Sequence, residues 1–149
     1  MNIAAGVLLI IAAILNFIGG CGYAIGGAVA GGVGEVGSEI ATGLEEAGAG
    51  TDTGSAEIAE DSEDLKAKGA GLALWGYALW VIAGLMIAGA VFLFMKSKAG
   101  FVLVIGVLAL VAEIGGILIT TFGIMNVVGL IAGALTILAA RSFPAAASA

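Results

Sequence analysis

The sequence predicts an all-α fold: a four-helix transmembrane bundle, arranged as two repeated hairpins, with an acidic, partly helical outer insertion. Three observations carry this reading. The 149 residues are 61% hydrophobic and only 11% charged, whereas soluble domains are about 45–50% apolar and about 25% charged. Four stretches are apolar over about the 20 residues that a helix needs to cross a bilayer. Ten of the eleven acidic residues fall between positions 31 and 69. The apolar stretches are continuous and do not alternate in polarity, which argues against a β-barrel.

The whole chain reads as one membrane domain, residues 1–149. Its helices are expected at about 3–25, 70–95, 101–119 and 122–140, with residues 31–69 as the insertion. The first stretch is polar only at Asn16 and, near its end, Tyr23. The second carries no charge, the third is broken only by Glu113, and the fourth only by Asn126 and Thr136. Ile18 to Cys21 reads I-G-G-C, which resembles a bacterial lipoprotein cleavage box. Met1-Asn2 lacks the positive charge of a signal peptide, and the apolar run continues past Cys21, so the first helix is expected to be retained.

Orientation follows from Lys and Arg, which favour cytoplasmic loops. Lys96 and Lys98 lie between the second and third stretches, and Arg141 follows the fourth. With four spans these share one side. Both termini are then cytoplasmic, and the 31–69 segment and the Thr120-Thr121 turn lie outside.

The halves resemble each other. VLLIIAAILNFIGG (Val7–Gly20) matches LVIGVLALVAEIGG (Leu103–Gly116) without a gap, and GLMIAGAVFLFMKS (Gly84–Ser97) parallels GLIAGALTILAARS (Gly129–Ser142). This suggests two hairpins in one orientation.

Within the insertion, Val33, Val36, Ile40, Leu44 and Ala47 recur at steps of three and four, a helical apolar stripe. Glu35, Glu39, Glu45 and Glu46 lie off it. Gly48–Ser55 reads as a tip, after which the chain is helical again, with Glu60, Asp64 and Lys68 spaced i, i+4. The outer segment is therefore expected to continue the first two spans as a helical hairpin. Its acids form a solvated face. They do not follow the spacing of a calcium-binding EF-hand loop, and the stripe is a candidate surface for a protein partner.

Ionisable or strongly polar groups inside a span are candidate functional residues. Counting about 1.5 Å per residue from the inner edge, Glu113, Asn16, Asn126 and Trp80 all fall at about 18–22 Å, one intramembrane polar layer. The amides and the indole N–H can donate to the carboxylate. Gly22/Gly26, Gly27/Gly31 and Gly129/Gly133 are GxxxG pairs, and Gly84/Ala88 is a small-xxx-small pair, all suited to close helix contact.

No His and a single Cys remove zinc-finger sites and Cys–His nucleophile pairs. No catalytic residues, metal ligands or cofactor are expected. The net charge of -6 argues against a nucleic-acid partner. Expected partners are the lipid bilayer and other membrane subunits or the chain itself.

Gly129–Ala139, GLIAGALTILA, resembles the terminal hairpins of uncharacterised small four-span bacterial membrane proteins. That resemblance implies a multi-pass protein of the bacterial inner membrane and no activity. Three readings of function follow: a non-catalytic structural or accessory subunit, a small proton- or cation-coupled transporter or channel using Glu113, and a membrane-anchored partner-binding module.

Overall fold

The computed structural model describes residues 1–46, 54–119 and 123–143. These form four helices, α1 (Asn2–Glu46), α2 (Gly54–Phe94), α3 (Ala99–Ile119) and α4 (Ile124–Arg141), with the α2–α3 connection at 95–98 and Gly123 ahead of α4. Ala47 of the stripe, most of the Gly48–Ser55 tip with Asp52, and Thr120–Phe122 lie outside the described residues. Three helices, α1, α2 and α3, are long and apolar enough to cross a membrane, and α4 is a shorter apolar helix.

Glycine-rich α1 would be a poor helix in water, where each interior glycine costs about 1 kcal/mol. In hydrocarbon the balance reverses, because every backbone N–H and C=O must find a partner inside the segment. α1 has 45 residues and α2 has 41, each about twice the number that a helix needs to cross a bilayer. The acids from Glu35 to Glu46 are thus carried on the same helix as the N-terminal apolar run, and those from Glu57 to Asp64 on the same helix as the second.

The chain divides into two compact units. The first comprises Met1–Ile18 and the chain from Leu79 onward. Leu9, Met86, Leu93, Val102 and Ile105 fill its core, with alanines between them. Valine and isoleucine side chains face outward from the same helices, as they do where lipid replaces water: Val81, Val104, Val111 and Ile114 are all more than half exposed. In this unit α2 ends in a Schellman motif. Ser97 N–H donates to Phe92 O (3.1 Å) and Lys96 N–H to Leu93 O (3.2 Å). Lys96 takes the left-handed position usually given to glycine (φ 49°), and Lys98 adopts a second one (φ 54°). Each costs about 1–2 kcal/mol of backbone strain, while the Lys96 charge suits the negative end of the helix.

The second unit is Gly19–Ala78. Here α1 and α2 run antiparallel with their backbones in close contact. A Cβ on Gly27 would lie 2.5 Å from Gly69 O, one on Gly76 would lie 2.6 Å from Gly20 O, and one on Gly34 would lie 2.6 Å from Ser62 O. Gly20, Gly27, Gly34 and Ala41 are seven residues apart on α1, and Ser55, Ser62, Gly69 and Gly76 are seven apart on α2. All eight are buried. A strict seven-residue repeat keeps one line of each helix facing its partner. Small residues on both lines let the main chains meet.

Candidate functional site

Glu113, on α3, is only 6% exposed. Its carboxyl is held from α4. Asn126 donates Nδ2–H to Glu113 Oε2 at 3.1 Å, and its Oδ1 accepts the Gly123 N–H at 2.9 Å. Gly123 is the residue before the first helical one, with an extended backbone (φ -133°). Asn126 therefore satisfies one of the free N–H groups at the start of α4 while reaching across to α3. The two bonds fix the amide orientation, because the oxygen must face the N–H and the nitrogen the carboxylate.

Gly129 makes room for the acid. A Cβ there would collide with the Glu113 carboxyl. One turn on, Gly106 and Gly133 pass backbone to backbone, with a Cβ on Gly133 only 3.0 Å from Gly106 O. The Gly129/Gly133 pair thus serves α3–α4 contact, its first member by lodging a side chain. Asn16, on α1, is the second amide beside the Glu113 carboxyl, and its Nδ2 also lies 3.5 Å from Met86 Sδ. Trp80 is directed elsewhere: its Nε1–H donates to Phe17 O at 3.2 Å, and its ring stacks on that of Phe17 at 5.8 Å. Equal depth places a residue at a height, while its azimuth decides which partner it meets.

The other glycine motifs divide in two. Gly27 and Gly31 seat Gly69, with a Cβ on Gly69 only 2.5 Å from Gly31 N. Gly22, Gly26 and Gly84 face open space, with nothing within 4 Å of where a Cβ would stand, and Ala88 is half-buried. Gly84 belongs to an apolar hollow of about 330 Å³ beside Phe17, Trp80 and Ile87. Val33, Val36 and Ile40 of the outer stripe are all more than half exposed and Leu44 is half-buried. The stripe therefore does not pack against α2, and the line of small residues does so instead. Intervals of four pick out the GxxxG pairs and pass over this line, whose period in the sequence is seven.

Among the described residues, no three His, Cys, Asp or Glu side chains cluster as a metal site would require. No Lys or Arg pairs with Glu113 among them either; the ion pair they contain is Lys68–Asp64 at 2.6 Å. Chemically, the site is a carboxyl flanked by neutral amide donors. It can anchor three helices together or exchange a proton or cation. No protein-family model, curated protein or solved structure matches this chain. Its three long apolar helices mark a membrane-embedded protein in contact with lipid.

Proposed function

We propose that the chain is a non-catalytic, multi-pass membrane protein serving as a structural or accessory subunit of a larger membrane assembly. One observation carries this reading: Gly22 and Gly26 form a GxxxG face with nothing among the described residues within 4 Å of where their Cβ atoms would stand. Small residues let another helix approach closely in lipid, where van der Waals contact drives association. In this reading α4 is the fourth crossing, the helices form two hairpins of common origin, and the protein belongs with the small four-span proteins of the bacterial inner membrane. Both termini are cytoplasmic and the acidic 31–69 segment is periplasmic.

Purification in mild detergent, followed by mass spectrometry, tests the proposal. The expected result is a partner at constant stoichiometry, lost in Gly22→Val/Gly26→Val while the chain stays folded. A chain that always purifies alone would overturn it. Orientation is read in a Cys21→Ser background with Asp52→Cys and Ser97→Cys. An impermeant thiol reagent should reach the first only from outside and the second only from inside.

A second reading rests on Glu113, a buried carboxyl with amide partners and no paired cation. It is a small proton- or cation-coupled transporter or channel. Proteoliposome flux abolished in Glu113→Gln, with the fold intact, supports it.

A further inference from the structure

We infer that the outer part of the α1–α2 hairpin is a docking surface for a basic amphipathic helix of another protein. This deepens the accessory-subunit reading and rests on it.

The surface begins with the stripe on α1. Val29, Val33, Val36 and Ile40 recur at steps of four, three and four, and are 62%, 57%, 56% and 52% exposed. At about 100° per residue, Val36 stands about 160° around the helix from Gly34, which faces α2. The stripe is the face that α2 leaves uncovered. On α2, Ile58 and Leu65 belong to a seven-residue series with Leu79, Met86 and Leu93. The last three are at most 5% exposed, whereas Ile58 and Leu65 are 37% and 38% exposed. The apolar positions that α2 uses for packing near its C-terminal end thus recur where the described residues leave them more than a third exposed.

Lipid is not the cover. Gly27 meets Gly69 and Gly34 meets Ser62, so Val36 and Ile40 stand level with the α2 residues that precede Ser62. That level carries Glu57, Glu60 and Asp61 on α2 and Glu35 and Glu39 on α1. Such a density of charge is incompatible with the hydrocarbon interior. Large apolar side chains aligned outside lipid and rimmed by polar groups mark a protein contact.

Charge selects the occupant. Glu35, Glu39 and Glu46 edge the stripe, all exposed. With Ser38 and Thr42 they line a groove of about 410 Å³ that Lys66 closes from α2. α1 contains no Lys or Arg. On α2, Lys68 is already paired with Asp64 and the Lys66 stem is packed against Gly34. A second copy laid along the stripe would bring its own excess of carboxylates, ten acids against Lys66 and Lys68 between residues 31 and 69. A helix with an apolar seam and Lys or Arg beside it satisfies both the stripe and its edge.

The test uses the full chain in phosphatidylcholine nanodiscs and two fluorescent designed helices. Both have Leu at heptad positions a and d; one has Lys at e and g, the other Glu. The Lys helix should bind, and the Glu helix should bind about tenfold or more weakly. Val36→Ser/Ile40→Ser, which alters only exposed positions, should weaken the Lys helix by about tenfold. Glu39→Lys/Glu46→Lys should reverse the preference between the two helices. Equal affinity for both helices, an unchanged affinity in Val36→Ser/Ile40→Ser, or no binding would overturn the inference. So would self-association of the chain that Val36→Ser/Ile40→Ser abolishes, because a second copy would then be the occupant. A stoichiometric partner retained by Val36→Ser/Ile40→Ser would leave the subunit reading standing while removing this docking site.

Discussion

Asn126 ties the first turn of α4 to the carboxyl of Glu113 with a single amide: Oδ1 takes the Gly123 N–H and Nδ2 gives to Oε2. A cap and an interhelical bond are therefore lost together when this residue changes. Asn126→Ala should destabilise the protein by about 1–2 kcal/mol, the sum of a lost cap and a modest membrane hydrogen bond. Asn126→Asp keeps the acceptor for Gly123 but sets a second carboxyl against Glu113, so in Glu113→Gln it should be better tolerated. Reversible unfolding in mixed micelles measures both.

Gly129→Ala should cost about 1–3 kcal/mol, because the added methyl occupies the place of the Glu113 carboxyl. Combining it with Glu113→Ala should be strongly non-additive, since the second change removes the atoms that the first displaces. Additive losses in the double-mutant cycle would show that the two residues do not share this space.

The glycines predict opposite outcomes by position. Gly27→Ala places a Cβ 2.5 Å from Gly69 O and should destabilise the hairpin by about 1–3 kcal/mol. Gly22→Ala meets nothing and should leave the stability of the isolated chain unchanged or slightly raised. Any damage from Gly22→Ala should appear only in assembly with a partner. Thermal unfolding of the two variants side by side checks this.

Thr136 is fully buried, and its hydroxyl has no hydrogen-bond partner among the described residues. Thr136→Val keeps the shape and removes the unsatisfied group, so it should stabilise the protein by about 1 kcal/mol. A loss of stability would mean that the hydroxyl finds a partner in the membrane.

Lys68 is exposed and donates to Asp64 at 2.6 Å. That hydrogen bond, and then the attraction of the same carboxylate, hold its pKa above the ordinary lysine value. Its folded-state pKa thus exceeds the unfolded one. The pair supports the helix in full below the unfolded value and is lost as pH rises through the folded one. Amide exchange in residues 57–68 should therefore accelerate at alkaline pH beyond the intrinsic increase, and Asp64→Asn should abolish that excess.

Length and apolar composition made the helices legible, because a bilayer admits few other ways to bury a backbone. Rise per residue placed Glu113, Asn126, Asn16 and Trp80 at one height. It could not give azimuth, and Trp80 turns to Phe17 O. The way α1 meets α2 was hidden for a different reason. Gly27, Gly34, Ser62 and Gly69 contribute almost no side chain, so a search for apolar stripes passes over them and finds Val33, Val36 and Ile40, which face away. Here the contact lies where the side chains are smallest.

The seven-residue line in the Gly19–Ala78 hairpin also limits how its length can change. Removing one residue from α1 beyond Gly27 would turn every later position by about 100° and bring Glu35 to the place of Gly34 against Ser62. Removing seven from α1 and seven from α2 would carry Ala41 to the place of Gly34 and Ser55 to that of Ser62, small residues again. The hairpin can therefore be shortened or extended in steps of two matched turns on each arm, and hardly at all in between.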